Sequence, residues 1–259
     1  MCLIFTAWQL APAATLVVAA NRDEYHDRDT APLHWWDDED ILAGRDLEAG
    51  GTWMGVTRSG RFAAVTNYRS AEGHRTDAES RGALVADFLR GSDAVEESLR
   101  RVVDGGRRYN GFSMIAGDGE RLGWCSNRVP GVHVLAPGLY GLSNHLLDTP
   151  WPKVAEGKIA LEPALSDPVL DPRRLLAVLD DRRPAPDARL PDTGVGRERE
   201  RWLSSRFVVG DAYGTRSSSV LAFGTDGTVS FAERTFDRHG SMTSEAREAF
   251  TLVSATVPE

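Results

Sequence analysis

An α+β fold with mainly antiparallel sheets is predicted by three features of the sequence. Short apolar runs bounded by turn residues crowd both ends of the chain, two capped helical segments stand between them, and no shift of composition divides the whole. The 259 residues are accordingly read as one domain, 1–259.

Leu3 to Trp8 and Thr15 to Ala20 are apolar runs around Gln-Leu-Ala-Pro-Ala, the pattern of a hairpin of buried strands. The polar cluster Asn21 to Asp23 falls at the far end of that hairpin. Met54 to Thr57 and Arg61 to Thr66 form two further strands around Ser59-Gly60, with Asn67 just past the second. Gly82 to Arg90, closed by Gly91, is a predicted helix. A second covers Asp93 to Val103, with Ser92 as N-cap and Gly105 as the stop.

Gly111 to Ala116, Arg121 to Cys125, Val132 to Ala136 and Leu139 to Ser143 read as a meander, and Asn144 again follows a strand. Asp171-Pro172 opens a helix whose apolar face is Leu175 to Leu179. Residues 181–200, rich in proline and charge, are expected to be a surface loop. Arg206 to Val209 is a predicted strand, Ser217 to Phe223 and Thr228 to Thr235 pair around Thr225-Asp226-Gly227, and Ser244 to Phe250 is a predicted short helix.

Hydrophobic residues make up 41% and charged residues 26%, as in ordinary soluble proteins. A net charge of -8 argues against broad binding to nucleic acid or anionic membranes. Cys2 and Cys125 are the only cysteines, too few for a disulfide framework or a cysteine-rich zinc site. The first twenty residues lack a basic leader, are interrupted by Gln9 and Pro12, and end in Asn-Arg-Asp-Glu, unlike a secretory signal. No later run approaches the roughly 20 apolar residues of a membrane span. A soluble cytoplasmic protein is the expectation.

Chemistry is suggested first by Cys2, directly behind Met1. Loss of Met1 would join a thiol and a free α-amino group, with ordinary pKa values near ~8.5 and ~8, in one residue. Alone, a cysteine in Met-Cys-Leu-Ile-Phe reads as a small apolar strand residue. Polar groups at strand ends change that balance. Asn67 and Asn144 have the carboxamides an oxyanion needs, although strand-end asparagines also make turns. Asp23 is suited to orient the amine, and Arg22 or Arg216 to lower the thiol pKa. Asn21-Arg22-Asp23-Glu24 reads equally as a solvated turn with local ion pairs. The six histidines show no metal-ligand spacing. His26, His34 and His145 lie near the proposed site in sequence, and Trp35, Trp36, Trp53 and Trp151 are candidates to wall an apolar pocket. No phosphate loop, dinucleotide fingerprint or Gly-x-Ser-x-Gly elbow occurs.

Asn21-Arg22-Asp23-Glu24, Ala43-Gly44-Arg45-Asp46, Gly50-Gly51-Thr52-Trp53-Met54-Gly55 and Thr66-Asn67-Tyr68-Arg69 resemble motifs of the NRDE family, also called the transport and Golgi organisation protein 2 family. Tyr109-Asn110-Gly111-Phe112, Gly141-Leu142-Ser143-Asn144, Asp148 to Lys153 and Tyr213-Gly214-Thr215-Arg216-Ser217 continue the resemblance across the chain. That family is similar to the N-terminal nucleophile hydrolases, which implies a four-layer αββα sandwich with Cys2 at the catalytic position. It has been linked to Golgi organisation, to lipid metabolism and to haem movement. A more distant resemblance is to cysteine bile-salt hydrolases and penicillin V acylases, whose pattern Cys2, Asp23, Asn67, Asn144 and Arg216 match; Arg22 adjoins Asp23, where that pattern separates the two by a pair of residues. The candidate site is thus Cys2, Asn21, Arg22, Asp23, Glu24, Asn67, Asn144 and Arg216. Its expected ligand is a small non-peptide amide or acyl compound, hydrolysed without cofactor or metal. The alternative is a non-catalytic carrier of haem or a lipid-like ligand on the same fold.

Overall fold

The computed structural model describes residues 2–253 except 38, 72 and 73. Strands β1 (Cys2–Ala11), β2 (Ala14–Tyr25), β3 (Thr30–Trp35), β4 (Leu42–Asp46), β5 (Met54–Val56) and β6 (Phe62–Asn67) precede helices α1 (Arg81–Arg90) and α2 (Val95–Asp104). Then come β7 (Phe112–Gly117), β8 (Leu122–Ser126), β9 (Val129–Val134) and β10 (Gly138–Leu142), helices α3 (Pro152–Leu165), α4 (Pro172–Leu179) and α5 (Arg197–Trp202), and finally β11 (Tyr213–Gly224), β12 (Thr228–Phe236) and β13 (Met242–Thr251).

The strands form two antiparallel sheets, ordered β10-β1-β2-β11-β12-β13 and β3-β4-β5-β6-β7-β8-β9. Three apolar layers alternate with them. Ile4, Val18, Phe62, Ile115 and Phe231 fill the space between the sheets. Leu3, Phe5 and Val17 on the outer face of the first sheet meet Leu161, Leu175 and Leu179 of α3 and α4. Ala63, Val65 and Met114 on the outer face of the second meet Leu84, Leu89 and Leu99 of α1 and α2. The architecture is therefore a four-layer αββα sandwich. Because β1 and β2 bury both faces, they read as continuous apolar runs rather than alternating ones. Helix α3 lies so close to β1 that a Cβ at Gly157 would fall 2.1 Å from Phe5 Cζ.

The three predicted strand pairs are present as β1–β2, β5–β6 and β11–β12, and α1 ends at Gly91 and α2 at Gly105 as expected. Five expectations need correction. Ser244 to Phe250 is a strand. Ala246 and Phe250 pack against the inter-sheet core and Glu245 pairs with Arg234 across β12–β13 at 2.7 Å, so sheet pairing overrides the helix propensity of Glu, Ala and Arg. Arg206 to Val209 is irregular. The N-cap of α2 is Ala94, not Ser92. The expected loop 181–200 contains most of α5, and its Glu200 is buried. The expected meander also divides: β7, β8 and β9 stay in the second sheet while β10 crosses to pair with β1 in the first. That crossing brings Asn144 beside the start of β1. Strands β3 and β4 and helix α3 carried no sequence expectation.

Candidate active site

Cys2 is the first residue of β1, flanked on one side by β10 and on the other by β2. The register sets it opposite Arg22, and Arg22 in turn lies opposite Ser217 of β11. Strand periodicity therefore puts Cys2 and Arg22 on the same face, the one turned towards the second sheet. Ser143 Oγ donates to the Cys2 carbonyl at 3.1 Å and ties β10 to this end of β1. Here the two sheets part, and a cleft of about 1010 Å³ opens. Cys2, Arg22, Asp23, Glu24, Asn67 and Arg216 line it.

Burial pushes the Cys2 thiol up, and the charge of Asp23 adds to the effect. The Arg22 guanidinium and the Asp23 backbone N–H, which donates to the sulfur, act the other way. Asp23 is itself buried: its Oδ1 accepts from Thr215 Oγ1 at 2.7 Å and its carbonyl from Tyr213 Oη at 2.8 Å.

The two strand-end asparagines differ. Among the described contacts the Asn67 carboxamide makes no hydrogen bond, and it faces the cleft. Asn144 is fully buried with φ 54°, a left-handed conformation that asparagine tolerates better than most residues. Its Nδ2 donates to the Asn67 carbonyl at 3.1 Å, which locks the two strand ends together and leaves one N–H of that amide over. Asn21 does not reach the cleft. Opposite Leu3 in the register, it faces the helices, where Nδ2 donates to Leu179 O (3.0 Å) and Arg206 O (2.8 Å) and Oδ1 accepts from Ser218 Oγ (2.6 Å). Of the four tryptophans singled out from sequence, Trp53 alone lines the cleft. Trp36 and Trp151 are buried elsewhere, and Trp35 meets Phe250 edge to face. Among the described residues no group of three or more His, Cys, Asp or Glu side chains is arranged to hold a metal ion. No helix among them is long and apolar enough to cross a membrane.

Residues 1–238 match the family model described as Transport and Golgi organisation 2. The chain belongs to that family. The Transport and Golgi organization protein 2 homolog of Bos taurus is 38% identical over 260 residues, covering 90% of this chain and 92% of its own. Its counterpart in Homo sapiens is 36% identical over 277 residues, covering 98% and 100%. Among solved structures, the chain is similar to the N-acylethanolamine-hydrolyzing acid amidase ortholog of Caenorhabditis elegans, with TM-score 0.47, 11% identity and coverage of 85% and 92%. A mutant conjugated bile acid hydrolase from Clostridium perfringens gives TM-score 0.44, 10% identity and coverage of 97% and 92%.

In this Transport and Golgi organisation 2 member, a buried charge cluster that sequence reasoning missed backs the thiol. Arg69 NH1 pairs with Glu200 Oε2 at 2.6 Å, both side chains being almost wholly enclosed. The other carboxylate oxygen of Glu200 accepts from Thr193 N and Oγ1 at 2.9 and 2.6 Å. Arg69 N also donates to Asn144 O at 2.7 Å, so the cluster is joined to the strand ends. Lys153, in the first turn of α3, is buried and interacts with Asp23, Arg69, Cys2 and Glu200. Burial raises the Asp23 carboxyl, and Lys153 and then Arg69 oppose that rise. A usable signal existed: Lys153 is one of only two lysines in the chain, and Arg69 directly follows Asn67-Tyr68.

Burial pulls Lys153 down to about 8 from 10.5. The folded chain therefore releases this proton first, and between those two values the unfolded chain binds the extra one. Stability contributed through Lys153 rises with pH across that window, by up to about 1.4 kcal/mol per pH unit, and levels off above it. Denaturant midpoints measured from pH 8 to 10.5 should thus climb more steeply for the wild type than for Lys153→Met. Parallel curves would show that the ammonium reaches water.

A second network lies beside the first. Thr149 Oγ1 spends its proton on Leu146 O at 2.8 Å, so towards His145 Nδ1 (2.9 Å) it accepts. His145 Nε2 is then the unprotonated nitrogen and accepts the hydrogen bond that the Tyr68 hydroxyl donates at 2.7 Å. Desolvation lowers the His145 pKa, in keeping with a neutral ring.

Proposed function

We propose that this chain is a hydrolase of N-terminal cysteine type, acting on a small non-peptide amide or acyl compound. The observation carrying the reading is the place of Cys2. A thiol at a strand end opens into a large cleft between a guanidinium and a backbone N–H, with an uncommitted Asn67 carboxamide in the same cleft. Met1 lies outside the described residues, and its removal belongs to the proposal. The freed α-amino group takes the thiol proton, and the sulfur attacks the substrate carbonyl carbon. The carbonyl electron pair moves to oxygen, where Asn67 Nδ2 stabilises it, while Asn144, buried behind the cleft, holds the Asn67 backbone in place. Collapse of the intermediate breaks the C–N bond, and the α-ammonium returns its proton to the leaving amine. Water then cleaves the thioester, releasing the acid and restoring the thiol.

The test is intact mass after mixing the protein with a panel of N-acyl amides, aryl esters and thioesters, quenched in acid. Loss of Met1 and a hydroxylamine-sensitive acyl adduct on Cys2 are expected. No adduct and no turnover across the panel would end the hydrolase reading. The second reading, a carrier of haem or a lipid-like molecule, draws on the cleft volume of about 1010 Å³, at the upper end for small-molecule sites. Saturable haem binding that persists in Cys2→Ser, without any adduct, would favour it.

A further inference from the structure

The whole chain is acidic, with net charge -8, but its cleft is not. Among the described residues eight arginines line the cleft against five carboxylates. Some of these arginines are neutralised locally: Arg28 pairs with Asp46 at 2.8 Å and Glu48 at 3.0 Å, and Arg69 pairs with Glu200. Arg81 and Arg216 are held differently. Arg216 NH1 donates to the carbonyls of Tyr25, His26 and Arg28 at 2.7, 3.2 and 3.1 Å. Arg81 NH1 donates to Gly111 O at 3.2 Å. Carbonyls aim these guanidinium groups and occupy one nitrogen of each without supplying a formal negative charge. Neither arginine has a carboxylate within ion-pair distance among the described residues.

Both groups line the same cleft as the thiol. Arg81 is close enough to Cys2 for the charge of each to act on the other, and Arg216 feels Arg22, the cross-strand partner of Cys2. Glu24 interacts with Arg22, Arg81 and Arg216, and Asp27 and Asp29 act on Arg216 from the loop after β2, all of them short of ion-pair contact with Arg81 or Arg216. Burial destabilises the charged form of Arg81 and of Arg216, so an arriving anion would relieve a cost already present. The guanidinium fork suits two-pronged pairing with a carboxylate or phosphate, which a lysine cannot reproduce.

We propose that Arg81 and Arg216 receive an anionic group, a carboxylate or a phosphate, carried by the compound whose carbonyl meets Cys2. The inference rests on the reading of Cys2 as the reacting residue, but it can be tested without turnover. The full chain is alkylated with iodoacetate and, separately, with iodoacetamide, and the modification of Cys2 is followed by intact mass. Cys125 is fully buried and its thiol is pushed up to about 12, so it stays silent. The ratio of the two rates cancels the thiol pKa and reports attraction of the charged reagent. At low salt that ratio should exceed the ratio for free glutathione by about tenfold, and Arg81→Gln and Arg216→Gln should each lower it severalfold.

Inorganic pyrophosphate and succinate serve as competitors. Stronger protection by the first assigns a phosphate, and by the second a carboxylate. As a check independent of thiol reactivity, the better anion should raise the Tm of the wild type but not of the Arg81→Gln/Arg216→Gln double variant. A glutathione-like ratio with no Tm shift from either anion overturns the proposal, as does an anion effect that survives both substitutions. A chain that shows the anion effect but never forms an acyl adduct keeps this site and loses the hydrolase reading.

Discussion

Exchange of Cys2 for serine is expected to lower turnover of any accepted amide by at least about a thousandfold while leaving the fold intact. Serine keeps the shape of the side chain, so β1 and its pairing with β2 and β10 are preserved. What changes is the proton. Burial raises the Cys2 thiol in spite of Arg22 and the Asp23 N–H, but a thiol still starts far more acidic than an alcohol and is the only one of the two that a weak base such as an α-amine can deprotonate. An alcohol in the same surroundings keeps its proton. The measurement is steady-state turnover of the best substrate from the adduct panel, with circular dichroism as the control for folding. A serine variant within tenfold of the wild type would assign the chemistry to another residue.

Removing one half of the buried pair behind the thiol should have the largest effect on stability. Glu200→Ala leaves Arg69 enclosed without its carboxylate and strips the acceptor from Thr193 N and Oγ1. Breaking such a pair costs about 3–5 kcal/mol, which for a chain of this size lowers Tm by roughly 10 °C. The double replacement Arg69→Leu/Glu200→Leu should cost less than Glu200→Ala alone, because it leaves no uncompensated charge. Thermal melts of the two variants decide the matter. A single-variant loss below about 1 kcal/mol would place the Arg69 guanidinium in contact with water.

Much of the sandwich was legible because buried strands write themselves as apolar runs between turn residues. Leu3 to Trp8 and Thr15 to Ala20 announce β1 and β2, and the glycines after α1 and α2 mark their ends. The failures share a cause. The segment Ser244 to Phe250 is rich in helix formers and becomes a strand because β12 offers an open edge, which no local pattern reveals. The charged tract 181–200 looks like solvent-exposed loop because the partner that buries Glu200 is Arg69, 131 positions away. At the site, Cys2, Arg22, Asp23, Glu24, Asn67 and Arg216 could be gathered from strand-end positions. Asn21 follows the same logic but faces the helices, since alternate strand residues point to opposite faces. Lys153 and Arg81 lie on helices, and without the sheet order nothing links them to Cys2.

The order of strands in the first sheet has a consequence for biosynthesis. The β1–β2 hairpin is central, and the neighbours that cover its two edges come from residues 138–142 and 213–224. On an emerging chain one hairpin edge stays bare until residues 138–142 have followed and the other until residues 213–224 have, and bare edges invite pairing with other chains. The cysteine on β1 leaves the ribosome more than two hundred residues ahead of β11, so a nascent chain carries an unguarded thiol on an unfinished sheet throughout that interval.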